Sequence, residues 1–301
     1  MATAEGCATN EIMRRPGLSE SAVWRCQERT RKMALSDEGG RVMTAEETTK
    51  GFGWRVYGLG VMALAMVCLA WGDFDPGQPV PKAFPDRSAL AYVAAAFMLV
   101  AGAALEWRRT AAWGAAALTA YYALIVVILM NGRVVLAHYA EFGTYSGVSE
   151  QLAITAGGLI VYAASARIDA ALAARLTRLG QLAFGVCALL FGGAHFFYMN
   201  LTVPLVPKWL PPTQEFWAHA TGVGHIAAGV AILTGVQARL AAILLTAMFA
   251  SFTPLVHVPM LLADPSRYVN WTENALNLAL VGVAWVVADS LARPSAKHLA
   301  I

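Results

Sequence analysis

The chain has 301 residues, 58% of them hydrophobic and only 14% charged, with a formal net charge of +3. Soluble domains carry about a quarter charged residues, so these totals exclude an ordinary soluble globular protein and point to the bilayer. The small charge is spread over many loops and gives no basic stripe for nucleic acid, and the four isolated cysteines (Cys7, Cys26, Cys68, Cys187) supply no disulfide framework, zinc knuckle or c-type haem attachment.

Residues 1–50 differ from the rest in being polar. NEIMRRPGLSESAVWRCQERT resembles the helix-turn-helix of insertion-sequence transposases, but Pro16 and Gly17 interrupt it and no transposase catalytic domain follows. A disordered tail is expected here. Translation from Met43 is the alternative, because MTAEETTKGFGWR makes an ordinary cytoplasmic lead-in.

From Trp54 the chain becomes a series of apolar runs, each close to the ~20 residues that cross a bilayer. The runs predict eight transmembrane helices at 54–72, 88–106, 111–130, 149–166, 178–199, 215–236, 240–262 and 271–290. Gly and Ala are frequent within them, as packed membrane helices require. Trp54, Trp71, Trp107, Trp271 and Trp285 sit near their ends, where amphipathic rings favour the interface.

The connections alternate in charge. Lys50, Arg55, Arg108, Arg109, Arg167, Arg175, Arg178, Arg239, Arg293 and Lys297 fall on one side. The other side carries Lys82, Arg87, Arg133, Lys208 and Arg267, offset by Asp73, Asp75, Asp86, Glu141 and Asp264. Positive-inside bias puts the first set and both termini in the cytoplasm, with the inner membrane of a bacterium as the expected location.

The halves repeat. PVPKAFP at 79–85 matches LVPKWLP at 205–211, and LTA at 118–120 matches LTA at 245–247. SEQLAITAGGLIVYAA from 149 matches TENALNLALVGVAWVVA from 272, with Glu150 over Glu273. Four helices per unit leave both copies in the same orientation, related by an axis along the membrane normal. The expected fold is therefore an all-α membrane protein, two parallel-repeated four-helix bundles. Residues 51–168 form the first repeat and 175–292 the second, with 293–301 a tail. His195, His219, His225 and His257 all lie in the second copy and have no counterparts in the first, so the first reads as scaffold and the second as the working half.

With about 1.5 Å of rise per residue, His195 and His257 come to lie about 25 Å from the cytoplasmic side. His219 and the residues Glu273, Asn274 and Asn277 fall in the same outer layer, near Tyr198 and Trp217. His225 lies deeper and points about 120° away from His219 around the helix. Ionisable groups at membrane depth mark functional sites by default. Each also has a plain structural reading: Glu273 as a helix-start charge, His219 as a solvated interfacial residue, His195 and His257 as buried hydrogen bonders, and the aromatic residues as core or lipid-facing surface. Pro254 and Pro259 bracket His257, which suits a locally opened helix lining a cavity.

Three chemistries fit such a layer. A quinone needs hydrogen-bonding partners for two ring oxygens and a proton carrier, and His195, His257 and Glu273 are the candidates. A haem b would need two imidazoles on facing helices, for which His195 and His257 have the right depth. A metal would want three or four N/O ligands, but no H-x-x-x-H or E-x-x-H spacing marks one, and none is expected. A non-enzymatic binder of a lipid or small apolar molecule is the competing class. A transporter comes third, because glycine-proline breaks do not recur in matching positions of the two halves.

RLGQLAFGVCALLFGGAHF, VPKWLPP, GVGHIAAGVAILTGVQARLAA and WTENALNLALVG resemble the DoxX-like membrane proteins. The resemblance covers the second half well and the first half faintly. It implies a four-helix-bundle unit and, from the system that gives the family its name, quinone-linked redox work as an oxidoreductase or its membrane subunit. Such a protein would have a redox partner subunit and no intrinsic cofactor. Members often carry Glu in the second helix where this chain has His225.

Overall fold

The computed structural model describes residues 51–292, and all regular structure among them is helical. The expectations for residues 1–50 and 293–301 lie outside the described residues. Eight helical rods follow in order: α1 (Gly53–Trp71), α2 (Arg87–Leu105), α3 (Ala111–Ala137), α4 (Phe142–Ser165), α5 (Ala170–Phe197), α6 (Gln214–Thr234), α7 (Ala238–Ala263) and α8 (Tyr268–Leu291). Seven of them are long and apolar enough to cross a membrane, so the protein is a multi-pass membrane protein. The eighth, α4, is long enough but is diluted by Ser146, Ser149, Glu150 and Gln151.

The sequence places the rods correctly and misjudges three ends. α3 runs seven residues past the expected end at 130, to Ala137, and α4 begins seven residues before the expected 149, at Phe142. Phe142 stacks on Phe197 of α5 at 4.2 Å, a tertiary contact that holds this polar first turn helical. α5 begins at Ala170 because Asp169 accepts from the backbone N–H groups of Ala171 and Leu172, an N-cap that satisfies orphan donors. Arg178, expected to start this helix, instead donates to the carbonyls of Ile232 (3.2 Å) and Leu233 (2.7 Å) at the end of α6, where cations suit the helix dipole.

Two rods are irregular inside, and at corresponding positions. Tyr121–Asn131 of α3 and Thr253–His257 of α7 are π-helical. The register that lays 118–120 over 245–247 carries Tyr121–Asn131 onto Met248–Val258. The second break has Pro254 to cause it; the first has no proline. Such bulges gather at functional sites.

Neither four-helix unit closes on itself. α1 packs along α2 and α8 and barely meets α4, while α5 packs along α4 and α6 and barely meets α8. The exchange is reciprocal: the first helix of each unit lies against the last helix of the other, and α4 and α8 meet between them. The two repeated bundles expected from the sequence thus pack as one interlocked unit. Local sequence similarity defines what repeats, and says nothing about which copy a helix packs against.

Small residues make the exchange possible. A Cβ on Gly60 would collide with the backbone of Ala279, and one on Gly282 with the backbone of Tyr57. Gly282→Leu should therefore lower stability by about 1–3 kcal/mol, read as a lower thermal midpoint in detergent. Leu at Gly224, where the nearest atom is Met248 Sδ at 3.6 Å, is the control expected to cost less.

Candidate functional site

The charge pattern names the two ends of the bundle. The acidic end carries the connections 72–86, 138–141, 198–213 and 264–267; the opposite end carries 106–110, 166–169 and 235–237. Two polar clusters stand out inside.

The first belongs to the second unit. His195 of α5 and His225 of α6 lie with ring centroids 5.7 Å apart, tilted by 33°. Phe191 (5.8 Å), Phe249 (5.3 Å) and Phe252 (6.4 Å) surround the His225 ring. His225 is buried and His195 half-buried. The Nδ1 atoms of both are buried without a hydrogen-bond partner in the protein. An unpaired buried imidazole nitrogen costs about 1–3 kcal/mol, so two of them side by side in an aromatic cage suit a ligand that supplies polar atoms.

The expected partners of His195 go elsewhere. α6 stands between α5 and α7. His257 sits half-buried at the end of the π-helical stretch of α7, its Nδ1 also unpartnered. His219 is exposed, with Nδ1 2.7 Å from the Glu215 carbonyl of its own helix and its ring against Phe196. Trp217 is exposed and donates to the Pro211 carbonyl at 2.8 Å. Tyr198 faces Phe142, 6.4 Å between centroids.

Asn274 and Asn277 serve α7. Asn277 Nδ2 donates to the Phe249 carbonyl (3.0 Å) and to Thr253 Oγ1 (2.9 Å), and Asn274 Nδ2 donates to the carbonyls of His257 (2.8 Å) and Asn270 (2.9 Å). Two amides of α8 thus grip both ends of the π-helical stretch, and Phe249 and Phe252 stand immediately before it. Asn277→Leu leaves the Phe249 carbonyl unpaired inside the bundle. It should cost about 1–3 kcal/mol and disturb the His225 cage, measured as a lower thermal midpoint and an altered His225 ring signal by NMR.

The second cluster lies where the units meet. Glu273 of α8 stands within electrostatic reach of Glu150 of α4 and of Asp75, and Glu150 within reach of Asp75. Asp75, in the α1–α2 connection, is 2% exposed. Its Oδ2 accepts from the Gly77 N–H at 3.0 Å. Burial pushes its carboxyl up to about 7, with Glu273 adding to the rise and the Gly77 N–H and the Gln151 side chain opposing it. Nearby, Tyr121 donates to Gln78 Oε1 at 3.0 Å.

Sequence reading missed Asp75, which looked like one more loop charge offsetting basic neighbours. The signal was present in DFDPGQP, where Pro76 and Gly77 turn the connection inward, and in Glu150 lying over Glu273. Among the described residues no group of three or more His, Cys, Asp or Glu has metal-binding geometry.

A groove of about 380 Å³ opens at the acidic end, between Pro204–Trp209 and the α7 residues Pro254, Val256, Pro259 and Met260. It runs beside the segment that carries His257.

Residues 184–288 match the family model of a domain of unknown function (DUF8561). The match runs from mid-α5 to near the end of α8 and so contains His195, His225, His257 and Glu273, but not Asp75 or Glu150. No curated protein and no solved structure matches the chain.

Proposed function

We propose that this is an eight-span, DoxX-like protein of a bacterial inner membrane, with both termini cytoplasmic. It binds a quinone headgroup, or a closely similar planar apolar ligand with two hydrogen-bonding oxygens, against the neighbouring rings of His195 and His225. The observation that carries this reading is the pair of buried imidazoles, each with an unpartnered Nδ1, inside the cage of Phe191, Phe249 and Phe252. Aromatic faces suit a flat ring, and a pocket lined mainly by apolar groups with a few convergent polar atoms is the usual form of a small-ligand site. An imidazole can also give or take the proton that quinone reduction or quinol oxidation requires. In this reading the electrons come from a partner subunit holding a cofactor.

His195 and His225 are the ligand contacts in this reading, His195 the proton-transfer residue, since it is the less enclosed of the two. Asn274 and Asn277 position the cage through α7, and the groove beside His257 is the approach.

Solvent extraction of protein purified in mild detergent tests the proposal. Wild type is expected to yield quinone at close to one per chain, and His225→Leu to lose at least about 90% of it, a change of roughly 1.4 kcal/mol or more in binding, while keeping its helical circular dichroism. A wild-type extract without quinone but with a stoichiometric lipid would move the protein to the class of non-enzymatic lipid binders.

A further inference from the structure

We propose that Asp75, Glu150 and Glu273, together with Gln151, form a proton-exchange site at the junction of the two units. This site is separate from the His195–His225 cage and does not depend on that reading.

Three observations support it. First, the carboxylates come from three elements and stand within electrostatic reach of one another, with no described lysine or arginine paired to any of them. The Arg87–Asp73 ion pair and the His138–Glu141 contact do not involve the trio. Neighbouring carboxyl groups in a poorly hydrated site cannot all ionise, so positive charge must enter as protons or a bound cation. Second, fully buried Gln151 aims its amide into the same space. A Cβ on Gly77 would collide with its Nε2 and would lie 2.9 Å from Asp75 Oδ2; Nε2 is close enough to favour the ionised Asp75, yet neither Nε2 nor Oε1 makes a hydrogen bond of good geometry. An amide so placed serves both states: its oxygen accepts from a protonated carboxyl and its nitrogen donates to an ionised one. Third, Asp75 sits in a connection at the acidic end, outside the spans, so protons have a short route to one side.

The remaining titratable groups facing Asp75 are Cys68 from α1, Tyr121 and Tyr122 from α3, and Tyr268 from α8. Asp73 of the same connection is taken by Arg87. A thiol and three phenols are neutral at physiological pH, so none of them balances the carboxylates. Among the described residues no cluster has the geometry to chelate a metal, which leaves the proton as the preferred charge. The shift of Asp75 to about 7 places its exchange in the physiological range.

Infrared titration of the full chain in nanodiscs, with Asp75→Asn, Glu150→Gln and Glu273→Gln, tests this. Wild type is expected to show a protonated-carboxyl C=O band that disappears with a midpoint near pH 7. Asp75→Asn should remove the near-neutral step, and Glu273→Gln should lower its midpoint by about one pH unit by deleting a neighbouring charge. Carbodiimide labelling gives a second reading in unmutated protein: Asp75, Glu150 or Glu273 should be modified faster on the acid side of the midpoint. Absence of any carboxyl titrating between about pH 5 and about pH 9, a midpoint unmoved in Glu273→Gln, or a band abolished by sodium at fixed pH would each overturn the proposal.

Discussion

Residues 168–301 expressed without the first four helices should fail to give a folded monomer, although they include everything the family model matches. The reason is the exchange of first helices. α8 loses α1, against which Gly60 and Ala279, and Tyr57 and Gly282, are in backbone contact. α5 loses α4, where a Cβ on Gly180 would already press on the Ala156 carbonyl at 2.9 Å. Val283, Ala284 and Val287, fully buried in the intact protein, would be left without the surface they are shaped to fit. In a bilayer the lost term is packing rather than hydrophobic burial, and two whole faces forfeit it together. The expected product is an oligomer or aggregate on size exclusion, with a monodisperse particle restored when residues 51–167 are co-expressed. A monodisperse monomer with a cooperative melt from the half-chain alone would contradict the interlocked arrangement.

Thermal stability should fall as pH rises from about 5 to about 8, and Asp75→Asn should flatten that fall. Asp75 has its carboxyl raised from 3.8 to about 7, so between those values the folded state binds more proton than the unfolded one. Stability is then lost with rising pH: the full contribution is present below the unfolded value near 4 and is gone above about 7. A rise of this size corresponds to at most about 4 kcal/mol. Asn cannot ionise, so the variant should match wild type near pH 4 and exceed it at pH 8. A variant less stable than wild type at pH 8 would show that the ionised carboxylate has a compensating partner.

Much of the architecture is legible in the sequence because membrane spans announce themselves. Unbroken apolar runs, interfacial tryptophans and alternating loop charge place eight rods, with all but three of their ends within a few residues. What the runs conceal is anything set by tertiary contact. The first turn of α4 is polar and reads as loop, yet Phe142 on Phe197 makes it helix. The start of α5 depends on Asp169, while the arginines beyond it resemble a membrane boundary. The two π-helical stretches lie in matching places although only the second contains a proline, so the absence of matching glycine-proline breaks in the sequence did not mean an absence of matching irregularity.

The site divides the same way. The angle between His219 and His225 was legible from helical period alone, and the structure has one exposed and the other buried. Which helix faces which was not. Depth suggested His195 with His257 and Glu273, but α6 intervenes, so His195 meets His225 and Glu273 lies within electrostatic reach of Glu150 and Asp75. Helix height is a one-dimensional inference; the neighbour around the ring needs the packing that the exchange of α1 and α5 creates.

Ligand binding against His195 and His225 is tested most directly by labelling with a photoreactive quinone followed by peptide mapping. Saturable labelling confined to the segments around Phe191–His195, Gly222–His225 and Phe249–Phe252, and competed by unlabelled quinone, is the expected result. Labelling that never saturates, or that falls only on lipid-facing residues and the Trp209–Pro254 groove, would contradict it.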